Sequence, residues 1–197
     1  AFALEAMARA CGAEARLLPV ARDTGESLAQ VIGLARDADL IVTIGGASVG
    51  EHDLVGGVLD ALGMTRAFYK VAIRPGKPLM AGRLGSAAVL GLPGNPVSAI
   101  VCGHVFMCPL LRRMQGLDAA AAAPRRGRLA TALPANGPRS HYMRAALLGT
   151  DADGIARLEV FDDQDSARLW LLTRADALVI RPPGDPPRAA GAPVDWM

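Results

Sequence analysis

The sequence predicts an α/β domain, three layers deep around a parallel sheet, followed by a small all-β domain. Three observations carry this: an uncharged β-branched run at residues 40–44, helix-period patterns on both sides of it, and a change after residue 118 to short alternating segments divided by Gly, Pro and Asp.

Leu4, Met7, Ala8 and Cys11 recur at helical spacing, and Gly12 stands where a helix ends in a left-handed residue. Residues 15–20 read as a short strand. Asp23 is expected to cap a second helix, with Glu26 reaching back to the cap amide and Leu28, Val31, Ile32 and Ala35 as its buried stripe. Residues 40–44 suit a strand covered on both faces. After a glycine loop, Asp53 is expected to cap a third helix with Val55, Val58, Leu59 and Leu62 inward and Gly63 at its end. Alternation of helix and strand implies right-handed crossovers and a parallel sheet.

Residues 68–73, 79–81 and 87–92 read as strands, the last two joined by a glycine turn. Asn95-Pro96, a capping residue before a proline, opens a long helix with Ile100, Val101, His104 and Val105 on one face, and Pro109 is expected to break or kink it. This gives an α/β domain over residues 1–118, a linker of alanines and clustered arginines over 119–127, and a β domain over 128–197 with strands at 128–133, 142–148, 155–161 and 177–180.

Hydrophobic residues make up 51% of the 197, but aromatics only 4%, so the core is built from Leu, Val, Ile and Ala. A net charge of +2 supplies no global field for a nucleic acid, and any anion must be bound locally. Cys11, Cys102 and Cys108 lack CxxC spacing, which argues against a disulfide framework and fits small core residues in a reducing cytoplasm. His52, His104 and His141 show no zinc-ligand spacing with them. Residues 97–111, the longest uncharged apolar stretch, fall short of the roughly 20 residues that span a bilayer. The chain opens inside a helical pattern without a signal-peptide n-region, as expected of a segment cut from a longer parent.

Gly45-Gly46-Ala47-Ser48-Val49-Gly50 lies between a strand and a helix, where close backbone approach and free amides suit a phosphate or another oxyanion, or serve only a tight turn. Asp53 at its end is a helix cap or a magnesium ligand, and Asp23 carries the same ambiguity. Arg74-Pro75-Gly76-Lys77-Pro78 is a rigid turn that holds two cations close together. Gly91-Leu92-Pro93-Gly94-Asn95-Pro96-Val97-Ser98 is a second rigid turn that opens a helix with hydroxyl and amide donors at its positive end. Arg125, Arg126 and Arg128 read as a solvated surface, and Trp170 and Trp196 are expected to pack in the β domain.

Together, residues 43–53, 74–78 and 92–98 resemble, in order and spacing, the molybdopterin molybdenumtransferases, the MoeA family that includes the gephyrin E domain. The tail agrees: Pro134-Ala135-Asn136-Gly137, Tyr142-Met143-Arg144-Ala145, Gln164-Asp165-Ser166 and residues 174–184 resemble that family's C-terminal β-barrel.

The resemblance implies a MogA-like molybdopterin-binding domain lacking its first strand, then the barrel. It implies a Mg2+-dependent cytoplasmic transferase that inserts molybdate into adenylylated molybdopterin and releases AMP. Gly45, Gly46, Ser48, Gly50, Asp23, Pro75, Gly76, Pro93, Gly94, Asn95 and Pro96 would line the pterin nucleotide's pocket. Asp53, with Asp23, would hold magnesium. Lys77, Pro78, Ser98, Arg144 and Ser166 would bind molybdate, and Arg74 the substrate's phosphates or terminal anion. Asp53, Lys77 and Arg74 would be the catalytic set. A homodimer is implied, with the upstream adenylyltransferase as a possible further partner.

Two other readings share the α/β pattern: an adenylyltransferase or CinA-type nucleotide hydrolase, which is not expected to combine the Arg-Pro-Gly-Lys-Pro turn with a barrel tail, and a gephyrin-like binding scaffold. The resemblance implies two further domains and an opening strand ahead of Ala1, on which activity is expected to depend; the departures within the chain are small. Ala47 stands where the family has valine, and Ala167 where it has a second serine or glycine.

Overall fold

Helix α1 (Phe2–Ala10) ends as expected, with Gly12 at φ +84°. Helix α2 (Gly25–Gly33) follows, then β1 (Leu40–Ile44), α3 (Leu54–Ala61) and β2 (Thr65–Tyr69). Next come β3 (Ile73–Arg74), β4 (Met80–Leu84), β5 (Ala87–Leu92) and α4 (Pro96–Cys102), which runs on through a π-helical turn (Gly103–Met107) into α5 (Cys108–Met114). The rest is β-rich: β6 (Arg125–Leu129), β7 (Ser140–Thr150), β8 (Ala156–Val160), a 3-10 turn (Leu169–Arg174), β9 (Ala177–Arg181) and β10 (Pro193–Trp196). This computed structural model describes residues 1–46, 53–117 and 123–197. They form two units, Ala1–Val71 with Gly76–Gly116, and Ala72–Pro75 with Leu117–Met197.

The first unit's sheet has the order β1-β5-β4-β2, and its pairing corrects the expected parallel sheet. Only β1 and β5 run parallel; β4 is antiparallel to both β5 and β2. The physical reason is the short turn at Gly85 (φ +61°), which reverses the chain directly, whereas a parallel neighbour needs a crossover segment. Residues 15–20 form no strand, because they have no hydrogen-bonded neighbour in this sheet.

The strand expected at residues 68–73 is broken at Lys70, whose φ of +69° turns the chain. Its amide donates to Leu79 O (2.8 Å), and Val71 N donates to Lys77 O (3.2 Å). Strand β3 beyond the break joins the second unit's sheet.

One face of the sheet, with Ile41, Met80, Ala87 and Val89, packs under Leu28 and Ile32 of α2 and Val55 and Leu59 of α3. Leu90 and Leu92 on the other face of β5 are buried too, so β5 is covered on both sides. Pro109 does not break its helix. It lacks the N–H that Val105 O would accept, and the turn before it widens so that Cys108 N bonds Gly103 O. The resulting helix, Pro96–Met114, is long and apolar enough by composition to cross a membrane. It is instead a packed core helix, with Val97, Ala99, Val101, Cys102, Met107 and Leu111 buried and Gly103 close against Leu4 and Met7 of α1. His104 is exposed rather than part of that core.

In the second unit β7, β8, β6, β10 and β9 pair in turn, and β9 pairs back to β7, closing a five-stranded barrel with β3 added along β7. Strand β6 starts at Arg125, inside the stretch expected to be a linker. Closure leaves the barrel strands without free edges and seals Leu129, Ala145, Leu158, Val160, Ala177, Val179 and Val194 inside. Trp196 packs on this core, while Trp170 is 51% exposed, contrary to expectation. Arg126 and Arg128 form surface pairs with Asp195 and with Asp151 and Asp153.

Leu158 is fully buried between β6 and β7. Leu158→Ala should cost the second unit about 3 kcal/mol, read as a lower urea midpoint for the barrel.

Candidate functional site

Parallel pairing sets Ile44 opposite Leu92, so the two glycine turns leave the same edge of the sheet side by side. Gly45 (φ +77°) donates its amide to Leu92 O at 2.9 Å. A side chain on Gly94 would meet Gly45 Cα at 3.2 Å, and one on Gly46 would meet Val55 Cγ2 at 2.2 Å. Glycine is required at these positions because backbone meets backbone, or the first turn of α3. Residues 45–46 and 93–95, far apart in sequence, thus share the carboxyl edge of β1 and β5, the edge at which open α/β sheets bind ligands. Ser48 and Gly50 lie outside the described residues.

Asn95 caps α4 as expected, accepting from Ser98 N at 3.1 Å, with Pro96 behind it. Ser98 is buried, and its hydroxyl lies 3.4 Å from Asn95 Oδ1. Asp53 caps α3, accepting from Gly56 N at 2.9 Å. Asp23, by contrast, is exposed and caps nothing: Thr24 is the α2 cap and accepts from Ser27 N, while Ser27 Oγ accepts from Arg22 N. Thr24 wins because its hydroxyl sits directly before the first helical residue, Gly25.

Two residues that sequence reasoning missed surround Asp53. The Tyr69 hydroxyl hydrogen-bonds to Asp53; burial first, then this carboxylate, pushes the phenol's pKa up, and Arg66 partly opposes the rise. Arg66 lies over the Tyr69 ring, 5.0 Å from its centroid, and pairs with Asp60 at 2.5 Å. Spacing alone would put residues 66 and 69 on opposite faces of a strand. The register shift between Arg66 and Phe68 brings them together, and no sequence signal marks that bulge.

Asp53 spends two of its roughly four lone-pair sites on Gly56 N and Tyr69, which leaves oxygen for one cation. Magnesium needs only one or two carboxylates besides substrate phosphates, so this donor fits it. Among the described residues no three acidic, His or Cys groups cluster as a metal cage.

The Arg74-to-Pro78 turn is divided between the units. Arg74 and Pro75, joined by a cis peptide, belong to the second; Gly76, Lys77 and Pro78 belong to the first, where Lys77 is exposed. Arg144 in β7 is 2% exposed. Its guanidinium donates to Gln164 Oε1, Arg168 O and Asp165 O at 3.4, 3.3 and 3.1 Å, while Gln164 Nε2 returns a bond to Arg144 O at 2.9 Å. Arg144 thereby folds the segment carrying Ser166, and two of its five N–H groups remain. Burial lowers its pKa, opposed by Asp163 and Asp165.

His141, which the sequence marks only as lacking zinc-ligand spacing, is buried beside Arg74 and Arg181, its neighbours in register on β3 and β9. Burial first, then Arg74, Arg139, Arg144 and Arg181, push its pKa down to about 4.

An α/β unit with glycine turns meeting beyond parallel strands, followed by a closed β-barrel, is the architecture of a two-domain α/β–β protein. The chain belongs to the MoeA family. Residues 1–113 match the family model described as a probable molybdopterin binding domain, and residues 126–197 match the MoeA C-terminal region (domain IV).

Relatives include a molybdopterin molybdenumtransferase of Haemophilus influenzae, 47% identical over 43% of this chain and 21% of its own length. A molybdopterin molybdenumtransferase of Nostoc is 36% identical over 59% of this chain and 28% of its own. The crystal structure of a molybdopterin biosynthesis MoeA protein from Pyrococcus horikosii superposes with a TM-score of 0.75 at 26% identity, covering 99% of this chain and 46% of that one. The chain thus spans less than a third of these curated relatives.

His141 gives a test of the barrel's electrostatics. Its folded pKa lies below the free value of 6.5, so the unfolded state takes up the proton first. Stability of the second unit should be fully present above pH 6.5 and decline as pH falls toward 4. His141→Gln should flatten that slope in urea melts run across this window.

Proposed function

We propose that this chain acts in molybdenum cofactor biosynthesis as the molybdate-inserting part of a cytoplasmic transferase. The supporting observation is the meeting of Gly45 and Gly94 beyond β1 and β5. Backbone amides and the capped start of α4 suit an anionic, phosphorylated ligand there, and the relatives bear the name molybdopterin molybdenumtransferase.

In this reading Gly45, Gly46, Gly94, Asn95 and Pro96, with Pro93, Ser48, Gly50, Pro75 and Gly76, hold adenylylated molybdopterin. Asp53, oriented by Tyr69 and Gly56 N, would hold Mg2+ at the phosphates, with Asp23 as a second carboxylate; the ion supplies charge neutralisation and Lewis-acid polarisation. Lys77, Pro78 and Ser98 of the first unit are proposed to serve molybdate, as are Ser166 and the residual donors of Arg144 of the second. Arg74 takes the phosphate end of the substrate. Two Mo–S bonds form as an oxo ligand of molybdate leaves as water with the dithiol protons, and water adds across the phosphoanhydride bond, so that AMP leaves and the pterin keeps the other phosphate. Both reactants are anions, so the protein's chief work is to bring them together against their repulsion. A homodimer, and hand-over from the upstream adenylyltransferase, complete the proposal.

Molybdate added to adenylylated molybdopterin and the full-length polypeptide should release AMP; no molybdate-dependent release would sink the reading. Asp53→Asn should abolish that release with the fold retained, checked by circular dichroism, and unaltered turnover would remove Asp53 from the mechanism. Arg144→Ala should weaken molybdate binding more than pterin binding in calorimetry. Equal losses would contradict a separate oxyanion pocket.

A further inference from the structure

The inner face of the barrel ends in charge. Along β7 it carries Ala145, Met143 and His141, opposite Ala177, Val179 and Arg181 of β9. The first two pairs belong to the apolar core, and the third lies at the barrel's end. Arg74 of β3 stands opposite His141 on the other side, so Arg181, His141 and Arg74 form one row across three strands. The row runs from 2% exposed at Arg181 through 7% at His141 to an exposed Arg74. Arg139, just before β7, reaches toward β3 with its Nη1 3.4 Å from Ile73 O.

Charge at this end does not balance. Asp185 is taken up by Arg181 and Arg188. Among the described residues, neither Arg74 nor Arg139 has a carboxylate within ion-pair distance. Among the described residues the His141 ring makes no hydrogen bond, and neither ring nitrogen is a buried atom left without a partner, so the ring's polar edge is open to solvent. Unpaired guanidinium groups beside an imidazole with a free N–H, at the end of a barrel, make a place that lacks only an anion.

We propose that Arg74, Arg139 and His141 form a seat for a phosphate monoester at the end of the barrel, with the imidazole N–H donating to it beside the two guanidinium groups. This rests on the reading that Arg74 meets the phosphate end of the substrate, and it adds two residues to that end. The seat is separate from Arg144 and Ser166. His141 points to the inner face of β7, whereas Arg144, three residues on, points to the outer face and the segment around Ser166.

The test titrates the full chain with inorganic phosphate, AMP and molybdate, following His141 ring resonances and binding heat. Phosphate and AMP should move the His141 signals. His141→Phe and Arg139→Ala should each weaken phosphate binding about tenfold, and His141→Gln, which keeps an N–H donor, should restore most of the loss. Arg157→Ala, which removes an exposed cation of β8, should leave phosphate binding unchanged. If Arg74→Ala weakens phosphate while His141→Phe and Arg139→Ala do not, the seat is wrong and the reading of Arg74 survives. If phosphate leaves the His141 signals of the unsubstituted chain in place and Arg74→Ala changes nothing, both fall. Signals that move with molybdate but not with phosphate or AMP would also overturn the seat.

Discussion

The parallel pairing of β1 with β5 is the constraint on which the first unit's chemistry depends. It aligns Ile44 with Leu92, so two turns about 50 residues apart leave the sheet at one edge. Gly45 and Gly94 can then touch. Burial enforces the alignment: Val89, Leu90 and Leu92 are sealed, and a one-residue slip would exchange the two faces of β5. The surface proposed to bind the pterin nucleotide is thus a by-product of packing.

The second unit solves a different problem. A closed barrel leaves few places for charge inside, and this one confines it to the end where Arg181, His141 and Arg74 line up. Asp185 holds Arg181 and Arg188, while Arg144 turns outward to fold the segment containing Ser166. Opposite faces of β7 therefore carry two separate sets of cationic donors.

Much of this was legible in the sequence, and the failures have physical causes. Strands β1 and β5, the Asp53 and Asn95 caps and the glycine turns were readable because burial on both faces, side-chain capping and positive φ each restrict residue choice strongly. Sheet direction was not, because alternation of helix and strand cannot reveal that the β4–β5 turn reverses the chain. Residues 15–20 have strand composition, but a strand exists only with a partner. Thr24 displaced Asp23 by one position, within the tolerance of any capping rule. The placement of Tyr69, Arg66 and His141 stayed hidden because a bulge and cross-strand register, neither written in local spacing, bring them to Asp53 and to Arg74. The Ser48 and Gly50 assignments rest on motif resemblance alone.

The measurement that tests the central claim most directly is the affinity of adenylylated molybdopterin for the Gly94→Val variant. Gly94 is exposed, so the core should be indifferent to the change, but a side chain there must displace Gly45. The account predicts a large loss of affinity, on the order of tenfold or more, with unchanged thermal unfolding. Undiminished binding would contradict it.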